Sequence, residues 1–330
     1  MTTTGIAITG SGAATPSVLL DNHQLSQLVE TSDEWISSRT GIRQRGLATT
    51  EVRLSQMAAS ACQNAIAMAG VQPTDIDLII LATSTADDLF GSASQIQAQI
   101  GATKAVAFDL TAACSGFVFG LVTASQFIRN GVYKNVLLVG RIFSQDGLIG
   151  RTAALVFYLE MGAGAVVLQA SDRDNLLGFE LKSDGSLNSS LNLACQPEPK
   201  ALTPEITIGQ GKYLPITMNG QDIYRFAVKK VPEVVEKALF HSGLTAADVD
   251  WLILHQANQR ILDAVAQRLK IPPHKVISNL ANYGNTSAAS IPLALDEVVR
   301  SGKIQSGDII ATAGFGAGLT WGSAIFKWGN

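Results

Sequence analysis

Asp248-Val249-Asp250-Trp251-Leu252-Ile253-Leu254 restates, 173 positions later (248 − 75), the segment Asp75-Ile76-Asp77-Leu78-Ile79-Ile80-Leu81. Each is an Asp-x-Asp step running into a continuous apolar run of strand length, the pattern of a strand buried on both faces. The likeness continues outward. A helical spacing of apolar residues precedes each copy, over 54–69 and 228–240, and closes at Gly70 and Gly243, which keep the same offset. Downstream, Arg129 and Arg300, and Gly131 and Gly302, match at an offset of 171, which pairs Cys114 with Asn285. The same order of helix, glycine, Asp-x-Asp and apolar strand at a near-constant offset marks an internal duplication. Alternating helices and buried strands place the chain in the α/β class, with halves at 1–172 and 173–330.

Composition narrows the function. The 330 residues are 47% hydrophobic and 15% charged, with a net charge of -3. Such a chain has a large core and often buries part of its surface against a second copy. With no global positive field, binding dominated by nucleic acid or anionic lipid is not expected. No apolar run approaches the roughly 18 residues of a membrane span, and residues 1–4 lack the basic start of a secretory signal, so a soluble, cytoplasmic protein is expected. Cys62, Cys114 and Cys195 form no CxxC pair, which argues against a disulfide framework and a structural zinc site; no metal is expected.

Chemistry enters at Phe108-Asp109-Leu110-Thr111-Ala112-Ala113-Cys114-Ser115-Gly116-Phe117. An apolar approach and a turn of small residues lead into a helical run from Ser115 to about Asn130. A cysteine at the mouth of a helix meets unpaired N–H groups and the positive end of the helix dipole, which favours its thiolate. Cys114 is therefore a candidate nucleophile, whereas Cys62, inside a helical run, reads as a small buried hydrophobe. His255 follows the second-half strand at its carboxyl end, where ligands bind in open α/β sheets. Its duplicate position is Ala82, so the imidazole breaks the repeat, and such departures are where function is sought.

Three stretches then stand together: Ala112-Ala113-Cys114-Ser115-Gly116, Leu254-His255-Gln256-Ala257-Asn258, and Tyr283-Gly284-Asn285-Thr286-Ser287-Ala288-Ala289. As a set they resemble the thiolase-fold condensing enzymes, most closely the β-ketoacyl-[acyl carrier protein] synthase III family. The resemblance runs over nearly the whole chain, through Thr31-Ser32-Asp33-Glu34-Trp35-Ile36, Arg39-Thr40-Gly41-Ile42-Arg43, Phe90, and Gly314-Phe315-Gly316-Ala317-Gly318-Leu319-Thr320-Trp321-Gly322. It implies a thiolase-like duplicated αβαβα layered fold with mixed, largely parallel sheets. It also implies Cys114 as nucleophile, His255 and Asn285 as catalytic partners, and the backbone N–H groups of Cys114 and Ala317 as an oxyanion hole.

The implied reaction initiates type II fatty-acid synthesis. The cysteine takes the acyl group of acetyl-CoA; malonyl-[acyl carrier protein] then loses carbon dioxide and attacks the acyl-cysteine, giving acetoacetyl-[acyl carrier protein]. No resident cofactor is implied, because both thioesters are substrates. By the same resemblance Trp35, Arg39, Thr40, Phe90, Arg151, Phe157, Gly220 and Asn258 contact the CoA or acyl chain. Arg225, Gln256 and Arg260 dock the carrier protein, and Phe90 reaches across a homodimer. The stretch 141–161 departs from the family pattern, with Tyr158 to Met161 where a Gly-Asp step is usual, and this bears on Arg151 and the pocket wall around Phe143 and Phe157.

Three other readings stay open on sequence: a relative using a different acyl-CoA primer, a catalytically impaired CoA-binding paralogue, and a papain-like hydrolase, which also carries Cys, His and Asn in that order. The duplication and the Gly-rich C-terminal loop speak against the last.

Overall fold

A computed structural model describes residues 4–47, 54–142 and 161–329. Its first half contributes β1 (Gly5–Ala14), β2 (Val18–Asp21), β3 (Gln44–Leu47), β4 (Leu78–Ala82), β5 (Val106–Leu110), β6 (Asn135–Ile142) and β7 (Gly162–Ser171). The helices there are α1 (Asn22–Leu25), α2 (Asp33–Thr40), α3 (Leu54–Ala69), α4 (Ala93–Ile100) and α5 (Gly116–Arg129). The second half contributes β8 (Leu176–Ser183), β9 (Leu191–Asn192), β10 (Cys195–Ala201), β11 (Thr207–Tyr213), β12 (Thr217–Met218), β13 (Trp251–Leu254), β14 (Ile309–Gly316) and β15 (Thr320–Lys327). Its helices are α6 (Gly220–His241), α7 (Gln259–Leu269), α8 (Leu280–Tyr283) and α9 (Ser290–Arg300).

Two large sheets carry the duplication. The first has the order β1-β7-β6-β4-β5 and the second β8-β15-β14-β13. A single parallel bridge from Leu252 to Val276 stands where the first sheet has β5. Pairing is parallel between β4 and both β5 and β6, and between β13 and β14, and antiparallel from β6 through β7 to β1 and from β14 through β15 to β8. The sheets are thus mixed, with parallel pairing confined to one side of each.

The Asp-x-Asp repeat has a physical reason. Asp77 accepts from the N–H groups of Lys134 and Asn135 at 2.8 and 2.9 Å, and Asp250 from that of Ile309 at 2.9 Å, so each aspartate anchors the start of the neighbouring strand. Asp75 and Asp248 cap the short turns before them, accepting from the N–H groups of Gln72 and Thr245. The apolar residues that follow in β4 are fully buried, each such side chain contributing about 2 kcal/mol.

Five layers result. Helices α3 and α4 cover the outer face of the first sheet, and α6 and α7 that of the second. Helices α5 and α9 lie between the sheets, sharing a core with residues of both. The helix expected at 228–240 starts at Gly220, where Asn219 accepts from the N–H of Asp222.

One pairing from the sequence needs correction. Helices α5 and α9 begin 174 apart (290 − 116) but end 171 apart (300 − 129), because α5 has 14 residues and α9 has 11. The turns before them match at 174 as well, with Ala113 at φ 45° and Ser287 at φ 47°. Cys114 is therefore equivalent to Ala288 and not to Asn285. Matching the helix ends hid the shortening.

Candidate active site

Cys114 lies in a short 3-10 turn, Ala113–Ser115, from which α5 departs. The turn rests on β14 of the other half, and the approach leaves no room for a side chain: a Cβ on Gly316 would stand 2.6 Å from the Cys114 nitrogen. The reciprocal contact puts Gly140 of β6 against the turn before α9, where a Cβ would stand 2.1 Å from the Ala288 carbonyl oxygen. Each half thus presses a strand glycine on the other half's turn, and the two turns meet at the centre. The left-handed φ at Ala113 and Ser287, costly for residues with a side chain, belongs to these two turns.

Ser287 joins the predicted catalytic residues. Its hydroxyl donates to the Cys114 Sγ at 3.1 Å, and its N–H donates to the Asn285 side-chain oxygen at 3.0 Å. Its carbonyl lies 2.7 Å from the Ser290 Oγ, which lies 2.8 Å from Nδ1 of His255. With its oxygen engaged, the Asn285 carboxamide has its N–H groups left for a substrate. The imidazole is 2% exposed and packs edge-on against Phe315 at 5.5 Å between ring centres. A cavity of about 1220 Å³ is lined by Cys114, Asn285, Ser287 and Ala317, with Phe90 among its outer residues. The loop of Ala317 is tied to the Cys114 turn by Thr320, whose hydroxyl lies 2.8 Å from that of Ser115.

Burial sets the protonation states. It pushes the Cys114 thiol up to about 11, against the opposing effect of the Ser287 hydroxyl, and pushes His255 down to about 3, against the Ser287 carbonyl. Desolvation of the anion works against the thiolate expected at the helix mouth, so burial favours the thiol and the neutral imidazole. Cys62 is fully buried in α3, as expected of a packing residue.

The expected substrate contacts divide. Trp35 and Arg39 on α2, Gly220 and Arg225 on α6, and Arg260 on α7 are exposed. Asn258, partly buried, joins α7 to α2 by donating to the Arg39 carbonyl at 2.8 Å, and Arg260 lies over the Tyr224 ring of α6 at 5.7 Å. Two assignments fail. Thr40 is fully buried, its hydroxyl donating to the Ile36 carbonyl and accepting from the Ile42 N–H, so it closes α2 and offers nothing to CoA. Gln256 is fully buried, donating to the Leu254 and Ile277 carbonyls and accepting from the Asn279 N–H, so it braces the loop after β13 and cannot dock a carrier protein. Arg151, Phe157 and Phe143 lie outside the described residues.

Sequence reasoning assigned no role to Ser287, Ser290 or Arg141. Arg141, 1% exposed, makes a two-pronged ion pair with Asp87 and donates to the Thr85 carbonyl, fixing the loop that carries Leu89 and Phe90. A basic residue at the end of the apolar run 136–139 was the available signal.

A cysteine and an asparagine meeting across the centre of a duplicated five-layer frame, with a histidine linked to both, define a condensing acyltransferase of the thiolase fold. Comparisons agree. The sequence profile described as 3-Oxoacyl-[acyl-carrier-protein (ACP)] synthase III matches residues 108–185, and that described as its C terminal matches residues 239–328. The β-ketoacyl-[acyl-carrier-protein] synthase III of Nostoc sp. is 68% identical over 99% of both chains, and that of Acaryochloris marina 65% over 98% of both. The 3-oxoacyl-[acyl-carrier-protein] synthase III of Aquifex aeolicus superposes with TM-score 0.89 at 38% identity, over 98% of this chain and 100% of that one. A priming β-ketosynthase of a polyketide pathway gives TM-score 0.89 at 31% identity, over 99% and 97%. The chain belongs to the β-ketoacyl-[acyl carrier protein] synthase III family.

Proposed function

We propose that the protein initiates type II fatty-acid synthesis by condensing acetyl-CoA with malonyl-[acyl carrier protein] in the cytoplasm. The observation that carries the reading is the Ser287 hub, which joins Cys114 and Asn285 on the cavity wall to the buried His255 in one hydrogen-bonded chain. In the first half-reaction the Cys114 sulfur attacks the acetyl thioester while the N–H groups of Cys114 and Ala317 receive the charge on oxygen. The C–S bond to CoA breaks, and the thiol proton ends on the CoA sulfur. In the second, malonyl-[acyl carrier protein] loses carbon dioxide and the electron pair passes to its thioester carbonyl. His255 and Asn285 donate hydrogen bonds to that oxygen. The enolate carbon attacks the acetyl-cysteine, the C–S bond to Cys114 breaks, and the thiolate that leaves takes a proton from solvent to restore the thiol. Protein groups and two thioesters carry every step, so no resident cofactor or metal is required.

Trp35, Arg39, Gly220 and Asn258 are proposed to receive CoA, and Arg225 and Arg260 the acidic carrier protein. The partial charges of a helix N-terminus, here those of α6 and α7, favour phosphate on the same surface. A homodimer is proposed as the working form. Strand β5 forms an edge of the first sheet, with Val106 52% exposed, and Phe90, 98% exposed, stands free at the cavity mouth for a second copy to cover. Primer choice is tested by offering acetyl-CoA and longer acyl-CoAs with malonyl-[acyl carrier protein] and identifying the products. Acetoacetyl-[acyl carrier protein] as the main product supports the reading. A longer β-ketoacyl product, to the exclusion of it, favours a different primer, and none from any acyl-CoA favours the impaired paralogue.

A further inference from the structure

The Phe90 ring stands exposed at the cavity, yet the backbone that carries it is tied on both sides. On one side Arg141 holds Asp87. On the other is Asp109, in β5 and five residues ahead of Cys114 (114 − 109). Along β5, Phe108 and Leu110 pack between the sheets, so Asp109 points with Ala107 to the outer face, toward α4. Its carboxylate accepts from the N–H of Ser92 at 2.9 and 3.0 Å and from that of Ala93 at 2.8 Å. These are the first N–H groups of α4, which Ser92, the residue before the helix, does not cap with its own side chain. The fully buried Ser92 oxygen turns back instead and accepts from the N–H of Asp87 at 2.8 Å, while the Asp88 carboxylate accepts from that of Phe90 at 2.9 Å. Gly91, at φ 108°, brings the turn so close that a Cβ would lie 3.4 Å from Oδ1 of Asp109. Hydrogen bonds thus link the strand that leads to the nucleophile with the turn that carries Phe90.

We propose that Asp109 is a positioning residue for primer selection: by capping α4 it fixes the Phe90 ring as the wall that limits the length of the acyl chain brought to Cys114. The proposal rests on the acyl transfer described above. An exposed ring excludes a longer chain only if its backbone does not yield, because a wall that moves at little cost exerts little selection. Two of the four N–H groups that open the helix have this carboxylate as their partner, and its negative charge at the N-terminus adds to the hold. Asp109→Asn keeps the shape but turns one oxygen into an NH2 group, which sets donor against donor at the Ser92 N–H. The turn is then freed, and longer acyl groups enter.

The test follows acylation of Cys114 by acetyl-CoA and by hexanoyl-CoA, read as CoA release, in the parent, Asp109→Asn, Phe90→Ala and the double variant. The hexanoyl-to-acetyl rate ratio is expected to rise about tenfold in Phe90→Ala and about threefold in Asp109→Asn. In the double variant it should match Phe90→Ala alone, because Asp109 acts through the ring, whereas independent sites would multiply. Ser92→Ala spares the carboxylate but removes the oxygen that holds the Asp87 N–H; it should move the ratio the same way, and it replaces Asp109→Asn in the comparison if that variant does not fold. Hydrogen exchange of the resting protein reads the cap without turnover: a peptide spanning Ser92 and Ala93 should exchange faster in Asp109→Asn than in the parent. An unchanged ratio in either single variant, an equal fall with both acyl-CoAs, or a further full rise in the double variant overturns the proposal. A parent that takes an acyl group from neither acyl-CoA overturns the functional reading instead, and leaves amide exchange to judge the cap, which equal rates in the parent and Asp109→Asn would overturn.

Discussion

The Ser287 hydroxyl donates a hydrogen bond of 3.1 Å to the sulfur of Cys114, and the two residues come from opposite halves of a duplicated chain. That bond opposes the desolvation that pushes the thiol up to about 11. A hydrogen bond to a charged group is worth about 1.5–3 kcal/mol, or about one to two pKa units. Ser287→Ala should therefore raise the thiol pKa further, and alkylation of Cys114 by iodoacetamide at pH 8 should slow by about tenfold or more. A rate profile against pH that does not move would remove Ser287 from the account.

His255 is buried neutral, its pKa lowered to about 3 from a model-peptide value of 6.5. Between those values the unfolded chain binds a proton that the folded chain refuses. The contribution to stability is fully present above pH 6.5 and is lost as pH falls toward 3, by about 1.4 kcal/mol per pH unit at most. Urea unfolding at pH 7 and pH 5 should show a loss for the parent that is smaller in a His255→Gln variant. Equal losses would mean that the imidazole titrates normally in the fold.

Gly316 has no space for a methyl group, since a Cβ would lie 2.6 Å from the Cys114 nitrogen, itself a proposed oxyanion donor. Gly316→Ala should displace the nucleophile's turn and lower kcat by about 100-fold, the scale of a misplacement near 1 Å. Gly185→Ala, where nothing lies within 4 Å, should leave kcat unchanged.

Gln256 and Arg260 are close in sequence but should fail in different ways. Gln256→Ala strips partners from buried backbone groups, at about 1–3 kcal/mol each, and should lower the melting temperature by several degrees. Arg260→Glu reverses an exposed charge and should raise KM for the acyl carrier protein about tenfold at low salt, with the effect shrinking as salt is added. A large rise in that KM for Gln256→Ala, with the melting temperature unchanged, would return Gln256 to the docking surface.

The duplication was legible because aspartates and strands recur at fixed spacing, and the structure shows that each Asp-x-Asp anchors a neighbouring strand. Cys114, Asn285 and His255 were legible as motifs at strand ends and small-residue turns. The misplaced pairing of Cys114 with Asn285 came from a helix shortened at one end, which residue matching cannot locate. Thr40 and Gln256 were misread because a polar side chain beside a functional motif looks the same in sequence whether it faces substrate or satisfies backbone groups. Ser287 and Ser290 were passed over for the converse reason: small hydroxyl residues are common at turns, and only the fold brings Ser287 to Cys114 of the other half and Ser290 to His255.

The central claim is that Cys114 carries the acyl group between two substrates. Intact mass and peptide mapping after exposure to acetyl-CoA measure it directly, followed by addition of malonyl-[acyl carrier protein]. The account predicts one acetyl group, on the Cys114 peptide alone, absent from Cys114→Ala and discharged when the second substrate is added. An acetyl group found on Cys195 or Cys62 instead, or one that stays on Cys114 after malonyl-[acyl carrier protein] is consumed, would contradict it.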